Sequence, residues 1–335
     1  MRSRQSQQPG LALWLLLMLA IATPLAAQQE NNAGTRDWLG EMSKAFHSLN
    51  YDLSFVYIRN QQVESMRLIH AVDNGVERER LIHLDGQVRE VIRDKDTVTC
   101  YFDNAPPVVL DEVSTQNPIT DTLVRQILEG KGSYQLEYLG SDRIADRTAH
   151  LVRVASRDRY RYDYRFWMDE ETGMLLRFEV LGNDGEVREQ IVVVSLQLFE
   201  EVPELALVSP LAGRYVDLPG ARVIGARTRP DAGVQPDPYW KMNWLPDGFE
   251  LRSSGVVPNR KEGDTYSFLF SDGIASISVF INTFESGARD PKSRLMSRGG
   301  TTVYDLVALD HSITVVGDIP ESTARKIARA VNRSK

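Results

Sequence analysis

The histidines, the side chains best suited to metal binding and to acid–base catalysis near neutral pH, are few and widely separated in this sequence. The five are His47, His70, His83, His150 and His311. His70 and His83 fall on neighbouring predicted strands and could approach each other, but two unrelated histidines are the expected interpretation because no ligand spacing typical of zinc surrounds either one. The sequence therefore predicts neither a metal site nor a cofactor.

Candidate nucleophiles are equally isolated. Cys100 is the single cysteine, so an intramolecular disulfide is excluded. Its apolar context, VTCYF, favours a small buried strand residue. The segment EGKGS at residues 129–133 lacks the first glycine and the Lys-Ser/Thr order of a phosphate-binding loop. Ser271-Asp272-Gly273 is typical of a hairpin turn. No catalytic residue is predicted, and an envelope hydrolase stays a minor alternative because a triad assembled in space leaves no local motif.

The stretch RYRYDYRFW, residues 159–167, alternates basic and aromatic side chains. On a strand, Tyr160, Tyr162, Tyr164 and Phe166 would share one face. A nucleic-acid surface is not expected, because the chain has a formal net charge of -7 and a pI near 5.4. The aromatic face is expected to pack as core beneath a helix, or in part to line an apolar groove.

Hydrophobic periodicity indicates which elements hold these residues. Residues 35–49 have helical spacing, with Thr35 as a predicted N-cap. From residue 51 the period is two, and turn signals such as DNG predict an antiparallel meander with a second helix at residues 119–128. Two helices are too few to cover this sheet, so we expect it to curl and leave a groove on its concave face. The candidate lining residues are Phe55, Tyr57, Tyr162, Tyr164 and Phe166.

The N-terminus is typical of a secretory signal peptide. Arg2 and Arg4 precede an apolar run at residues 11–21, and small residues then allow cleavage after Ala26 or Ala27. The run is too short to span a bilayer, and an uncleaved anchor is the alternative interpretation. We expect no transmembrane segment in the mature chain.

Composition divides the rest of the chain into two modules. Pro, Gly and Ala without a sustained period predict a linker, part of it draped over a domain. The predicted boundaries are a signal peptide at 1–27, a curled-sheet domain at 35–200, a linker at 201–237 and a small domain at 238–335. The final predicted helix, at about residues 322–331, carries Arg325, Lys326 and Arg329 on one face. Such a face is usually only solvated, and contact with a partner is the alternative.

Several blocks resemble, in the same order, the MucB/RseB family of periplasmic sigma-E regulators. They are DWLGEMSKAFHSLNYDLSFVY (37–57), MRLIHAVDNGVERERLIHLDGQVREVIRDKDTVTCYF (66–102), FWMDEETGMLLRFEVLG (166–182), WKMNWLPDGFEL (240–251), FSDGIASISVFI (270–281) and TVVGDIPESTARKIA (314–328). Each block is weak alone, but the ordered combination is specific and extends from about Asp37 to Ala328.

The resemblance implies an α+β protein. Its N-terminal domain would be a half-open, curled antiparallel sheet with helices in its mouth, similar to the lipoprotein carriers LolA and LolB, and a smaller α/β domain would follow. Family membership further implies a periplasmic negative regulator that binds the periplasmic part of a membrane-anchored anti-sigma factor, protects it from proteolysis and releases it on sensing lipopolysaccharide or lipoprotein acyl chains. A periplasmic lipid or lipoprotein carrier without a signalling role is the second hypothesis. The oligomeric state is left open, a homo-oligomer included.

Overall fold

The computed structural model describes residues 23–95, 97–111, 133–214, 222–225, 239–257, 263–284, 292–308 and 310–333. These ranges contain two α-helices, α1 (Thr23–Ser48) and α2 (Glu321–Ala330). The strands of the N-terminal part are β1 (Asn50–Arg59), β2 (Gln62–Asp73), β3 (Val76–His83), β4 (Arg89–Asp94), β5 (Thr97–Phe102), β6 (Val108–Asp111), β7 (Tyr134–Ile144), β8 (Arg147–Ser156), β9 (Asp163–Asp169), β10 (Leu175–Leu181), β11 (Val187–Phe199) and β12 (Arg222–Gly225). Those of the C-terminal part are β13 (Trp240–Met242), β14 (Glu250–Val257), β15 (Thr265–Ser271), β16 (Ser276–Thr283), β17 (Lys292–Arg298), β18 (Thr301–Val307), β19 (His311–Gly317) and β20 (Val331–Arg333).

The N-terminal strands form one 12-stranded sheet in the order β12-β6-β5-β4-β3-β2-β1-β11-β10-β9-β8-β7. All neighbours are antiparallel except β12 and β6, which run parallel. Within β1–β6 and within β7–β11, consecutive strands are joined by short turns, as the alternating pattern predicts, and the long pair β1 and β11 joins the two meanders in the middle of the sheet. The predicted antiparallel meander is therefore confirmed.

The sheet curls around α1. Trp38 packs on Tyr138 of β7, with ring centroids 5.0 Å apart, while His47 lies 3.0 Å from the Glu77 carboxylate of β3. A flat sheet would separate β3 and β7 by about 33 Å, whereas Trp38 and His47 are only about 14 Å apart along the helix axis. Contacts from one short helix segment to strands so distant in sheet order require a curled, half-open sheet, which confirms the predicted fold class of this domain.

Helix α1 is longer than expected. It begins at Thr23, so Thr35 is a buried residue inside the helix and the predicted N-cap is wrong. The segment before Thr35 contains Ala, Gln and Glu, which favour a helix, and its one proline, Pro24, lies in the first turn where its missing N–H is not needed. Within the predicted span the apolar face is as expected: Leu39, Met42 and Ala45 are buried against the sheet.

The strand predicted across residues 159–167 begins only at Asp163. Before it, a turn is fixed by side-chain hydrogen bonds: the Tyr160 N–H donates to Asp158 Oδ1 at 2.8 Å, and the Ser156 hydroxyl donates to the Asp158 carbonyl oxygen at 2.8 Å. Asp and Ser offer the backbone such alternatives to a sheet ladder. The alternation of RYRYDYRFW therefore overstated the strand at its N-terminal end.

Part of the predicted linker lies on the first domain. Val202 and Leu207 pack in one cluster with Ile69 and Ala71 of β2, and Arg78 of β3 holds the Glu204 carboxylate at 2.7 Å. Strand β12 also comes from this segment. The helix predicted at residues 119–128 lies outside the described residues.

The C-terminal part is a smaller α/β unit, in agreement with the expectation. Six antiparallel strands lie in the order β14-β15-β16-β19-β18-β17, and α2 packs on β18 and β19. Ala324, Ile327 and Ala328 of α2 are buried against Ile277, Val315 and other apolar strand residues. A two-stranded pair, β13 with β20, closes the end of this core.

Gly173, in the turn between β9 and β10, is a sharp test of how α1 is seated. Its φ is +75°, and a Cβ there would lie 3.2 Å from the backbone carbon of Glu41 in α1. Gly173→Ala is expected to lower the free energy of unfolding by about 1–3 kcal/mol, measured by chemical denaturation, since it combines left-handed strain with a backbone clash. Gly185→Ala is the matched control because its φ is +82° but its Cβ would meet no atom within 4 Å. Equal losses of unfolding free energy in the two variants would show that α1 shifts to accommodate the added Cβ at residue 173.

Candidate functional site at the domain interface

A buried arginine joins the two domains. Arg161, from the turn before β9, is 0 % exposed, and its guanidinium donates to the carboxylate of Asp272 in the β15–β16 turn of the second domain. It also donates to the Asp158 carboxylate and to the backbone oxygen of Asp247. The Phe249 ring lies 4.8 Å from the guanidinium carbon. The buried charge favours one relative orientation of the domains, because its contacts with Asp272, Asp247 and Phe249 are lost if the domains separate, while only the contact with Asp158 stays within the first domain.

Beside it, Lys326 of α2 contacts the first domain. Its ammonium lies 3.7 Å from the centre of the Trp244 ring and donates a hydrogen bond of 3.0 Å to the Tyr160 hydroxyl. That hydrogen bond lowers the pKa of the Tyr160 hydroxyl. Thr323, one turn earlier, donates to the Tyr160 carbonyl oxygen at 3.1 Å. Lys326, a predicted partner-binding residue, therefore serves the domain interface in this conformation.

The other two basic residues of α2 differ from Lys326. The guanidinium carbon of Arg325 lies 5.0 Å from the centre of the Tyr304 ring, on the helix's own domain. Arg329 is exposed. Of the three predicted partner-binding residues, Arg329 thus presents its charge most openly to a partner.

The five predicted groove residues lie in three different settings. Tyr162 belongs to the interface: it is buried, and its hydroxyl donates to the Ile319 carbonyl oxygen of the second domain at 3.0 Å. Burial raises the pKa of this hydroxyl. Tyr164 and Phe166 lie deeper, in one cluster with Leu39 and Met42 of α1, and burial raises the pKa of Tyr164 as well.

Phe55 and Tyr57 lie on β1, away from this cluster. Phe55 is half-buried and packs on the neighbouring core cluster that contains Ala45 and Tyr51. Tyr57 is half-buried beside the Arg59 guanidinium, and burial raises the pKa of its hydroxyl. The aromatic face of β9 is thus covered by α1 and by the second domain, whereas the β1 residues are partly accessible.

An open, basic cavity of about 770 Å³ lies on the other side of the RYRYDYRFW segment. Four arginines, two aspartates and two leucines are among its lining residues: Arg153, Arg157, Arg159, Arg165, Asp158, Asp163, Leu139 and Leu181. Arg153 is paired with Glu137 and Asp163, and Arg165 with Glu179, so the excess positive charge comes from Arg157 and Arg159. The alternating basic residues of the segment line this cavity. The cavity was not predicted from the sequence, because only the aromatic face was considered as a binding surface.

The side chains considered as isolated candidates for chemistry, Ser271, Cys100, His70 and His83, are not assembled into one site. Ser271 lies in the β15–β16 hairpin turn, as its sequence context indicates, and its hydroxyl donates to the Ala275 carbonyl oxygen at 3.0 Å. Cys100 is half-buried on β5, and burial raises the pKa of its thiol, which disfavours a reactive thiolate. His70 and His83 lie on adjacent strands, but His70 is opposite Glu79 and His83 is opposite Met66, so the two do not face each other.

Among the described residues, no helix has the length and apolar character to cross a membrane.

A curled, half-open sheet around one helix, joined through the buried Arg161 to a smaller α/β domain, defines the class as two-domain proteins built on an open antiparallel sheet. The chain belongs to the MucB/RseB family: the MucB/RseB N-terminal domain matches residues 34–211, and the MucB/RseB C-terminal domain matches residues 234–332. The resemblance drawn from the sequence blocks is therefore confirmed.

Curated relatives and solved structures agree with this assignment. The sigma-E factor regulatory protein RseB of Salmonella typhimurium (strain 14028s / SGSC 2262) is 30% identical over 324 residues, which cover 95% of this chain and 97% of that protein. The sigma factor AlgU regulatory protein MucB of Pseudomonas aeruginosa is 28% identical over 328 residues, covering 94% of this chain and 96% of that protein. In the solved Pseudomonas aeruginosa MucA/MucB complex, the matching chain is 25% identical with a TM-score of 0.70, covering 90% of this chain and 99% of that one. MucB in complex with MucA(peri) has a TM-score of 0.66 at 25% identity, covering 89% and 98%.

Proposed function

We propose that this chain is a periplasmic negative regulator of an envelope-stress sigma factor. It binds the periplasmic part of a membrane-anchored anti-sigma factor and protects that segment from proteolysis. The observation that carries the proposal is the match of both domains to MucB solved with MucA, together with relatives named as sigma factor regulators. Those relatives are named as regulatory proteins, which supports a binding role rather than an enzymatic one.

The compartment follows from the same proposal. An anti-sigma segment outside the inner membrane is reached only by an exported protein, and residues 1–27 have the charge and apolar pattern of a signal peptide, cleaved after Ala26 or Ala27.

We place partner binding chiefly on the C-terminal domain. Arg329 is exposed on α2, one turn from Arg325 and Lys326, so a partner segment that reaches this face meets three cationic side chains. Because Lys326 also contacts Tyr160 and Trp244 of the domain interface, a partner that engages it competes with or reinforces the contact between domains. Partner binding and domain orientation are therefore coupled in this proposal.

Lipid sensing would act on the first domain. The half-buried residues Phe55 and Tyr57 offer an apolar entrance, while Tyr164 and Phe166 become accessible to an acyl chain only if α1 moves off the sheet. The basic cavity beside Arg157 and Arg159 suits the phosphates of lipopolysaccharide. A lipid that favours an open arrangement weakens partner binding, and the partner must weaken lipid binding by the same factor.

Calorimetric titration tests the proposal. The purified protein is titrated with periplasmic segments of anti-sigma factors from the same cell, with and without lipopolysaccharide, and we expect binding that weakens when the lipid is present. Arg329→Glu is expected to weaken binding about ten-fold, equal to about 1.4 kcal/mol. Arg294→Glu is the matched control, since Arg294 is exposed in the same domain but lies on β17.

Each other outcome has a defined meaning. Binding that is indifferent to lipopolysaccharide would contradict the sensing step and leave a shielding protein. Equal effects of the two charge reversals would contradict the role of α2. Binding to no anti-sigma segment would overturn the regulator and favour the lipid or lipoprotein carrier, which transfer of labelled lipoprotein to acceptor membranes would then test.

A further inference from the structure

His70, on β2, has one ring nitrogen without a hydrogen-bond partner among the described residues. The side chain is 0 % exposed, and its Nδ1 lies 2.8 Å from the Leu49 carbonyl oxygen, an acceptor to which only a protonated nitrogen can donate. In the neutral ring, Nε2 then carries a lone pair. This Nε2 is buried and makes no hydrogen bond to any of the described residues. Tyr51 stacks on the ring with centroids 4.7 Å apart, which fixes the direction in which Nε2 points.

Two carboxylates face that nitrogen from β3. Glu77 Oε2 lies 3.7 Å from His70 Nε2, and Glu79 Oε1 lies 4.0 Å from it. Both gaps are longer than a hydrogen bond, which ends near 3.2 Å for N–H···O. They are close to the separation of about 3.3 Å between two ligand atoms that each lie about 2.0–2.1 Å from a tetrahedral zinc ion. One ligand atom from each of the three residues falls within 4.8 Å of the others.

We propose that His70 Nε2, Glu77 and Glu79 form a binding site for a zinc-class divalent transition metal. One imidazole and two carboxylates suit zinc and its neighbours, whereas magnesium and calcium prefer oxygen ligands alone and copper(I) prefers sulfur. Three protein ligands leave a fourth position for water. The site lies on the first domain and is separate from the domain interface and from the proposed partner surface.

The surroundings are those of a metal site rather than of a bare acidic cluster. A metal-bound histidine usually donates its other N–H to a carbonyl or carboxylate, as His70 does to Leu49. Glu77 is held by His47 of α1, whose Nδ1 lies 3.0 Å from Oε1 and 3.1 Å from Oε2. Glu79 is held by Arg93 of β4 at 2.6 Å. These contacts fix both carboxylates while leaving acceptor capacity on their oxygens.

A bound ion would link three elements. His70 lies on β2 and both glutamates lie on β3, while His47 ties Glu77 to the C-terminal end of α1. Since an ion that binds the folded chain but not the unfolded chain stabilises it by mass action, the first domain should become more stable as zinc is added. The rival arrangement is a protonated His70 that forms an ion pair with the two glutamates without metal.

Titration of zinc chloride into the tag-free, purified full chain, first dialysed against EDTA, tests the site. We expect one zinc ion per chain by calorimetry and by competition with a chromophoric chelator, a higher midpoint of thermal unfolding with zinc, and no such rise with magnesium. Cobalt(II) in place of zinc should give the intense visible bands of a tetrahedral site. Glu77→Gln and Glu79→Gln should each weaken zinc binding about ten-fold or more.

His150→Gln is the matched control, because His150 Nδ1 is also buried without a hydrogen-bond partner among the described residues, yet its ring stacks on Trp38 at 4.0 Å rather than facing carboxylates. It should bind zinc as the unsubstituted protein does. His70→Gln should abolish zinc binding, and if that variant fails to fold, the two glutamate variants still decide, since their side chains are partly exposed. Zinc binding that is absent, or unchanged in both glutamate variants, would overturn the proposal in favour of the ion pair.

Discussion

Replacing Asp272 with alanine is expected to lower the free energy of unfolding by about 3–5 kcal/mol, because the Arg161 charge is then left buried without its main partner. The Arg161 side chain is 0% exposed and that of Asp272 is 1% exposed, so water cannot take the place of the lost carboxylate. Asp272 Oδ1 also accepts the N–H groups of Ile274 and Ala275, at 2.9 and 2.8 Å, so the alanine loosens the β15–β16 turn as well. Equilibrium denaturation followed by fluorescence measures the loss, and separation into two transitions would report uncoupled domains.

Asp158→Ala is the matched control for this prediction. Asp158 accepts from the same guanidinium and from the Tyr160 N–H, but its side chain is 29% exposed, so water can replace it and the loss should stay at about 1–2 kcal/mol. Asp272→Asn separates charge from turn geometry, since an amide oxygen can still accept the two backbone N–H groups. If Asp272→Ala costs no more than Asp158→Ala, the buried pair does not hold the domains together and the coupling between partner binding and domain orientation loses its basis.

The first domain's strand order was predictable where turns are short. Asn74 and Gly75 have φ values of 50° and 78°, as a two-residue hairpin requires, and Asp73 therefore pairs with Val76. That turn alone fixes the register of β2 and β3, which places His70 opposite Glu79. The DNG turn therefore predicts that His70 and Glu79 lie opposite each other. The strand pattern alone had suggested His83 as a possible neighbour of His70.

The domain interface could not be found in this way. Arg161 and Asp272 are separated by 111 residues, and no periodic pattern connects a turn in one domain with a turn in the other. The alternating pattern placed Arg161 within a strand, because it does not reveal that Ser156 and Asp158 bind the backbone and delay the start of β9. Hydrogen bonds from nearby side chains compete with the strand locally, and contacts between domains depend on tertiary structure, so neither follows from the apolar pattern.

The largest effect within the first domain is expected from Phe166→Ala, which should lower the free energy of unfolding by about 3–5 kcal/mol. Phe166 was predicted to lie either in the core or along an accessible groove. The loss of stability on substitution by alanine should be large in the core and small in a groove. The side chain is 0% exposed and packs with Leu39 and Met42 of α1 and with Phe178, whose ring centre lies 5.1 Å away. Removing the ring leaves a cavity beneath α1 that the curled sheet cannot close without moving the helix.

Phe199→Ala is the matched control, because Phe199 is 40% exposed on β11 of the same sheet and its loss should cost less than about 1 kcal/mol. Both variants are compared by chemical denaturation and by binding of a fluorescent acyl-chain probe. A small loss of stability in Phe166→Ala, combined with weaker probe binding, would contradict the core assignment and place Phe166 in an open groove. A large loss of stability would mean that an acyl chain reaches this part of the sheet only by displacing α1, so that the free energy of seating this helix sets the threshold for lipid sensing.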